Sequence, residues 1–401
     1  MENFDCVVIG GGMVGAASAL SLANLGLRVA VVEQFKPKEF AKEQPLDLRV
    51  SAISLASQHL LTQLNCWQQI KQWRTCQYKR LGVWELPYAY TEFNAKDIAQ
   101  EHLGDIVENR LLQLALWQEL NSNQNIFLYC PESLVDIEQS TDNVIVTLSN
   151  STIATKLLIG ADGANSKVRQ LAGIGITGWD YQQSAMLINV ETEFSQQDIT
   201  WQQFTPSGPV AFLPLPGQSE LGGYASLVWY HSKAEIKRLA SISNAQLTSE
   251  IHQYFPKRLG KVKVIDKASF PLTRRHANSY QHKRILLVGD AAHTINPLAG
   301  QGVNLGFKDV KALQNVIASA IANGQSWHSD TVLGGYEKAR RHDNLLMMST
   351  MDALYTSFSH PSSLVKFARN LGFLAINKLP LINTQIKNRA LAYACGVTLT
   401  E

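Results

Sequence analysis

Near the start of the chain the apolar positions are consecutive rather than alternating. Phe4 to Ile9 is apolar but for Asp5, and the run stops at the glycines of "VVIGGGMVGAA", spaced Gly10-x-Gly12-x-x-Gly15. Such a run predicts a parallel strand buried on both faces. "AASALSLANLG" then predicts a helix ended by Gly26, and "LRVAVVE" a second strand closing on Glu33. The same order recurs in "KLLIGADGANSKVRQLAGI", Lys156 to Ile174, with Asp162 and Gly163 in the turn and Arg169 on the helix. It recurs again in "KRILLVGD", Lys283 to Asp290, which leads through "AAHTINPLAGQG" to the helical pattern "VNLGFKDVKALQNVIASAI". Between the last two, from about Tyr181 to Phe270, the pattern alternates and is rich in aromatics: "QSAMLINVETE", "TWQQFTPSGPVAFLPLP", "YASLVWYHS". Alternation broken by Pro and Gly predicts an antiparallel sheet.

The fold class expected is therefore α/β. A discontinuous Rossmann-like domain takes residues 1–75, 100–180 and 271–345. An interleaved antiparallel β-sheet substrate domain takes 76–99 and 181–270, and C-terminal helices take 346–401. No internal repeat or low-complexity tract interrupts this order.

The first turn has the chemistry of a dinucleotide site. Gly10 permits the turn, Gly12 lets the backbone approach a pyrophosphate at the helix N-terminus, and Gly15 allows close packing of helix on sheet. Glu33, at the end of the second strand, can accept hydrogen bonds from both hydroxyls of an adenosine ribose and would repel a 2′-phosphate, which leaves FAD or NAD. Asp290 chooses between them. It lies at the carboxyl end of a buried strand, where open α/β sheets bind ligands, and suits a sugar-like hydroxyl. The helix N-terminus after "PLAGQG" favours negative charge, and a reduced flavin has an anionic edge to place there while NAD has none. FAD is expected, with its AMP half on the first loop and its ribityl and flavin half on the second.

Composition removes other classes. The 401 residues are 45% hydrophobic and 17% charged, enough for a large core. A net charge of +3 without basic-aromatic runs predicts no nucleic-acid partner. Cys6, Cys66, Cys76, Cys130 and Cys395 are odd in number and scattered, so reduced thiols and no metal site are expected. "MENFDCVVIGGG" enters a strand without the basic and apolar regions of a signal peptide, which predicts a cytoplasmic protein. No apolar run reaches the length of about eighteen residues that a spanning helix needs.

Together the fingerprint at Gly10 to Gly15, the "ADG" turn at Ala161 to Gly163 and "GDAAH" at Gly289 to His293 resemble the class A FAD-dependent aromatic monooxygenases of the para-hydroxybenzoate hydroxylase type. "DLRVSAISLAS", "TWQQFTPSGPVAFLPL", "FPLTRRHA" and "GDAAHTINPLAGQGVNLG" are similar, within that group, to the ubiquinone-biosynthesis hydroxylases, and most to those acting on demethoxyubiquinol. The resemblance implies ring hydroxylation of a polyprenylated benzoquinol through a C4a-hydroperoxyflavin, with NADPH or NADH as reductant and O2 as co-substrate. It implies FAD contacts at Gly12, Gly15, Glu33, Arg49, Asp162, Asp290, Gly302 and Asn304, and near the ribityl at Asn109. Gly10, Gly163, Arg169, Gly289 and Val303 complete the candidate cofactor set. Pro297 to Gly302 should wall the flavin face, with Pro297 and Gly300 as catalytic candidates. His293 is a third candidate, open between proton transfer and a hydrogen bond that orients the loop. Arg169 and Arg274 are open between the phosphates of NAD(P)H and ordinary solvation, and Trp201, Phe204, Phe212 and Trp229 between a ring pocket and plain core.

The tail from Ser363 to Val397 carries Lys366, Arg369, Lys378, Lys387 and Arg389 and no acid. Two readings stand: peripheral contact with the inner face of the cytoplasmic membrane, and a helix packed on the FAD domain or docked on ubiquinone-pathway proteins. Three activities also remain open beside the one named: a sister hydroxylase acting on a prenylphenol, a flavin reductase or dehydrogenase that does not use oxygen, and a flavin-binding subunit of a biosynthetic complex.

Overall fold

The computed structural model describes residues 1–295, 302–359, 370 and 380–397. The consecutive apolar runs form one eight-stranded sheet. Its parallel centre runs Ile285–Leu287, Thr152–Gly160, Glu2–Ile9, Val29–Val32, Ile126–Tyr129. Val7, Val8, Val29 and Val31 are fully buried, as strands covered on both faces require. The helix Met13–Ala23 buries nine residues, almost all small, so it can lie close on the sheet. It contacts the helix Gly302–Ala322 as well, and one core joins sheet and helices.

A second eight-stranded sheet carries the alternating segments, in the order His293–Thr294, Val262–Ala277, Ile176–Thr192, Gly223–Ser232, Val210–Gln218, Ile199–Gln203, Arg80–Trp84, Thr91–Asn94. All its pairings are antiparallel except Ile199–Gln203 with Arg80–Trp84. Two of its strands, Ile176–Thr192 and Val262–Ala277, have 17 and 16 residues and run through the boundaries expected near 181 and 270, so the chain passes between the units without a loop. Val50–Ser54, Gly104–Glu108 and Cys76–Tyr78 form a separate three-stranded sheet.

The alternation gives the second sheet two different faces. Met186, Ile188, Phe212, Leu227 and Trp229 pack under the helices Lys233–Ser241 and Asn244–Tyr254, which start at Ser232 and Ser243 with side-chain N-caps. Ala185, Leu187, Ala211, Leu213, Val228 and Tyr230 point the other way and meet Leu305, Ile295 and Met348 of the dinucleotide-binding unit and the C-terminal region. The helix Asp330–Ser359 ties the two units together. Tyr336 donates to the Leu287 carbonyl, Arg274 pairs with Asp352 at 2.7 Å, and Phe204 stacks on Phe358 with centroids 3.6 Å apart. Among the described residues no helix is long and apolar enough to cross a membrane.

Candidate functional site

Three turns follow three neighbouring parallel strands. Ile9 pairs with Gly160 and Gly160 with Leu287, so the turns at Gly10, Asp162 and Gly289 leave the same edge of the sheet, where such sheets bind ligands. In the first turn Gly10 has a φ of +102°, and a Cβ there would come within 2.5 Å of the Ala161 carbonyl oxygen. A Cβ at Gly15 would lie 1.9 Å from the Gly10 carbonyl oxygen, whereas one at Gly12 would meet nothing within 4 Å. Gly12 thus faces open space at the start of a helix without a side-chain cap or an acid in its first turn. Trp117 Nε1 and Gln113 Nε2 hold the loop by donating to the Gly11 carbonyl at 2.6 and 3.0 Å. The Glu33 carboxylate accepts from the Gly11 amide through Oε2 at 2.7 Å and from the amides of Gln34 and Phe35 through Oε1 at 2.7 and 3.1 Å, which leaves Oε2 a lone pair for a ribose hydroxyl.

The second turn is fastened to the third. Asp162 Oδ2 accepts from the amides of Lys167 and Val168, while its buried Oδ1 has no partner. Arg169, 5% exposed, donates to the Ala291 carbonyl at 2.8 Å and the Ala164 carbonyl at 2.9 Å, which commits its guanidinium to the two turns. Arg274 is committed too, to Asp352 and to the face of Trp179.

Asp290 is the one side chain of the third turn left open. It keeps accessible surface and makes no hydrogen bond or ion pair among the described residues, yet protein surrounds it closely enough for desolvation to raise its pKa. The carboxylate is thus exposed at the ligand-binding edge of the sheet, with its charge disfavoured by the protein around it. His293 and Arg49 oppose the rise, which places the exposed Arg49 in the same electrostatic neighbourhood. Asn109, which starts the helix Asn109–Ser122, is held by Ser51 Oγ at 2.7 Å and donates its backbone amide to the Arg49 carbonyl. Gly163 and Gly302 also border open space, and Val303 packs on the core. The Asn304 side chain is turned inward: it accepts from the Ser54 amide and Ser57 Oγ and donates to the Ala52 carbonyl, so what it offers a ligand is its backbone. Pro297 and Gly300 lie outside the described residues.

His293 sits behind this surface, 2% exposed, on a short strand paired with His276. Asp309 Oδ2 accepts from both His293 Nε2 at 2.5 Å and the Gly289 amide at 3.0 Å. Its Oδ1 accepts from Arg340 Nε at 2.8 Å and Asn344 Nδ2 at 3.2 Å. Burial pushes the Asp309 carboxyl up, but His293 and Arg340 outweigh it and hold the pKa at about 2. Burial lowers His276, next to this network, to about 4. Sequence reasoning missed Asp309, Arg340 and Asn344. The available signal was Asp309 itself, an acid among the residues Gly306, Val310, Leu313 and Ile317 that form the buried stripe of its helix.

Of the aromatics, Trp201, Phe212 and Trp229 lie on the face covered by helices, and they are core. Trp201 and Phe212 stack with centroids 5.4 Å apart. The opposite face, with half-buried Leu187, Ala211, Leu213 and Phe270, is the apolar wall toward the turns.

This arrangement fits FAD. Among the described residues two helix N-termini border open space, and Glu33, Asp290 and the free oxygen of Asp162 are acceptors of the kind that hydroxyl groups of such a cofactor need. A family described as FAD binding domain matches residues 3–346. The chain is 46% identical over 394 residues to the 3-demethoxyubiquinol 3-hydroxylase of Escherichia coli (strain K12), covering 98% of each chain. It is 36% identical to the ubiquinone hydroxylase UbiL of Rhodospirillum rubrum, covering 94% of this chain and 86% of that one. In fold it is similar to the crystal structure of the p-nitrophenol 4-monooxygenase PnpA of Pseudomonas putida DLL-E4, with a TM-score of 0.78 over the full length of both chains at 20% identity.

Proposed function

The chain belongs to the FAD-binding family of ubiquinone hydroxylases, and from that premise we propose that it hydroxylates the ring of a polyprenylated benzoquinol, the demethoxyubiquinol named for its Escherichia coli relative. It is an FAD-dependent monooxygenase. When bound, FAD would supply the redox chemistry by which NADPH or NADH and O2 give a ring hydroxyl and water.

The chain's own residues bind, orient and exclude water. Glu33 and the turn at Gly12 hold the adenosine ribose and pyrophosphate, Asp290 holds a ribityl hydroxyl, and the N-terminus of Gly302–Ala322 favours the negative charge of the reduced ring. Asp162, Arg169 and Asp309 fix the turns that carry these groups. A hydroquinol ring is electron-rich already, so no strong base is required, and buried His293 acts through the loop it orients. The observation that supports the reading is Asp290, exposed and unpartnered among the described residues, in the turn that leaves the same sheet edge as the turns at Gly10 and Asp162. Because the prenyl tail stays in the bilayer, we propose that the protein works at the inner face of the cytoplasmic membrane, docking there or on pathway proteins that present the substrate.

The test is quinone analysis by mass spectrometry in a strain lacking the protein. Accumulation of the demethoxy quinone is expected, and accumulation of an early prenylphenol would reassign the chain to another ring position.

A further inference from the structure

We propose that Asn189 and Ser226 form the polar pair that recognises a hydroxyl group on the substrate ring. The proposal rests on the ring-hydroxylase reading and adds to it the residues that select the ring. Asn189 stands directly opposite Ser226, and Ser226 directly opposite Leu213, so the three form one row across three strands of the second sheet. Their neighbours Ile188, Val190, Ala225, Leu227 and Phe212 lie under the helices on the far side. Alternation therefore turns Asn189, Ser226 and Leu213 toward the dinucleotide-binding unit.

Both polar side chains are buried, Asn189 at 2% exposure and Ser226 at 0%, and each has an atom without a partner: Asn189 Oδ1 and Ser226 Oγ. The orientation of the Asn189 amide follows from its surroundings. Nδ2 donates to the carbonyls of Leu46 and Asp47 at 3.1 and 3.3 Å, so the atom left over is the acceptor. The two groups do not satisfy each other although they are cross-strand partners. A buried acceptor and a buried hydroxyl left unpaired side by side are costly in an apolar wall. On the same face the neighbouring Leu187, Ala211, Leu213 and Tyr224 are only half-buried, so the wall around the pair is not sealed. One ring oxygen meets both needs: its O–H donates to Asn189 Oδ1 and its lone pair accepts from Ser226 Oγ–H. A hydrogen in place of that hydroxyl satisfies neither, and such sites discriminate strongly against the analogue lacking the group.

Ser226→Ala tests this with little risk to the fold, since it removes only a hydroxyl that has no partner among the described residues. The FAD-loaded protein is titrated with a 2-methoxyphenol bearing a short alkyl tail and with the same compound carrying hydrogen in place of the hydroxyl, and the perturbation of the flavin absorbance is followed. Wild type is expected to prefer the phenol, and Ser226→Ala to lose that preference by about tenfold. The melting temperature and FAD affinity should stay at the wild-type values. An unchanged preference in Ser226→Ala, or no preference in wild type, overturns the pair. If the FAD-loaded wild type binds neither compound, the ring-hydroxylase reading fails and the pair with it.

Discussion

The carboxylate of Asp309 and the imidazole of His293 meet at 2.5 Å where neither side chain is more than 2% exposed. The Asp309 oxygen that accepts from His293 Nε2 also accepts from the Gly289 amide, so one atom fixes both ends of the turn that carries Asp290. The other oxygen binds Arg340, on the helix that ties the two units together. Asp309→Ala leaves Arg340 buried with only Asp343 as counter-ion, and a loss of about 3–5 kcal/mol is expected for breaking a buried pair. Urea unfolding measures it. A loss within about 0.5 kcal/mol, as at ordinary surface positions, would show that the network is not structural.

Acid should loosen the same region. Burial depresses His276 from 6.5 to about 4, so the unfolded chain takes up that proton first as pH falls. The stability it contributes is complete above pH 6.5 and is lost between there and pH 4, about 3 kcal/mol in all. Asp309, held near 2 against 3.8 when unfolded, adds a second loss in the window between those two values. His276→Phe should flatten the first window and leave the second. A wild-type slope in the variant between pH 6.5 and 4 would remove His276 as the cause.

Asp290 separates binding from folding. Its pKa is raised by desolvation, which the charges of His293 and Arg49 offset only in part, so Asp290→Ala should leave the apoprotein at least as stable while FAD affinity falls at least tenfold. Flavin retained per protein after gel filtration and the melting temperature of the apoprotein are the two readouts. Full FAD retention would remove the role given to the third turn.

The glycines of the first turn should divide in the same way. At Gly15 a methyl group would overlap the Gly10 carbonyl, and Gly15→Ala should fold poorly or not at all. At Gly12 nothing stands within 4 Å, so Gly12→Ala should fold normally and yet bind FAD more weakly, because the methyl occupies the space the pyrophosphate needs. Equal damage to the two apoproteins on circular dichroism would contradict this assignment.

The sequence exposed the parts whose signal is local. Val7, Val8 and Ile9 are buried on both faces, and a consecutive apolar run is the trace of that burial. Glycines and acids at strand ends mark the three turns for the same reason. Asp309 was hidden because its partners stand 16, 20 and 31 residues away and no spacing rule joins them. Alternation left Trp201, Phe212 and Trp229 open between pocket and core, because the cross-strand register that brings them to one face, and the helices at 233–254 that cover it, are not visible in any single strand. Asn189 and Ser226 escaped notice because a polar residue within an alternating strand reads as solvent-facing until the covering unit is seen.

The tail can be tested residue by residue. Lys387 pairs with Asp97 at 3.2 Å and lies over the Phe93 ring, so its charge is already used inside the protein, while Arg389 is exposed. Lys366, Arg369 and Lys378 lie outside the described residues. If the tail docks on an anionic bilayer, each free cation near the surface contributes about 1 kcal/mol and salt weakens the contact. Changing Lys366, Arg369, Lys378 and Arg389 together to Gln should then abolish co-sedimentation with anionic vesicles at low salt. Lys387→Gln alone should do the reverse, lowering the melting temperature by a small amount and leaving the vesicle-bound fraction intact. Wild-type protein that stays in the supernatant at both low and high salt would eliminate the bilayer as the docking surface and leave a pathway protein in that role.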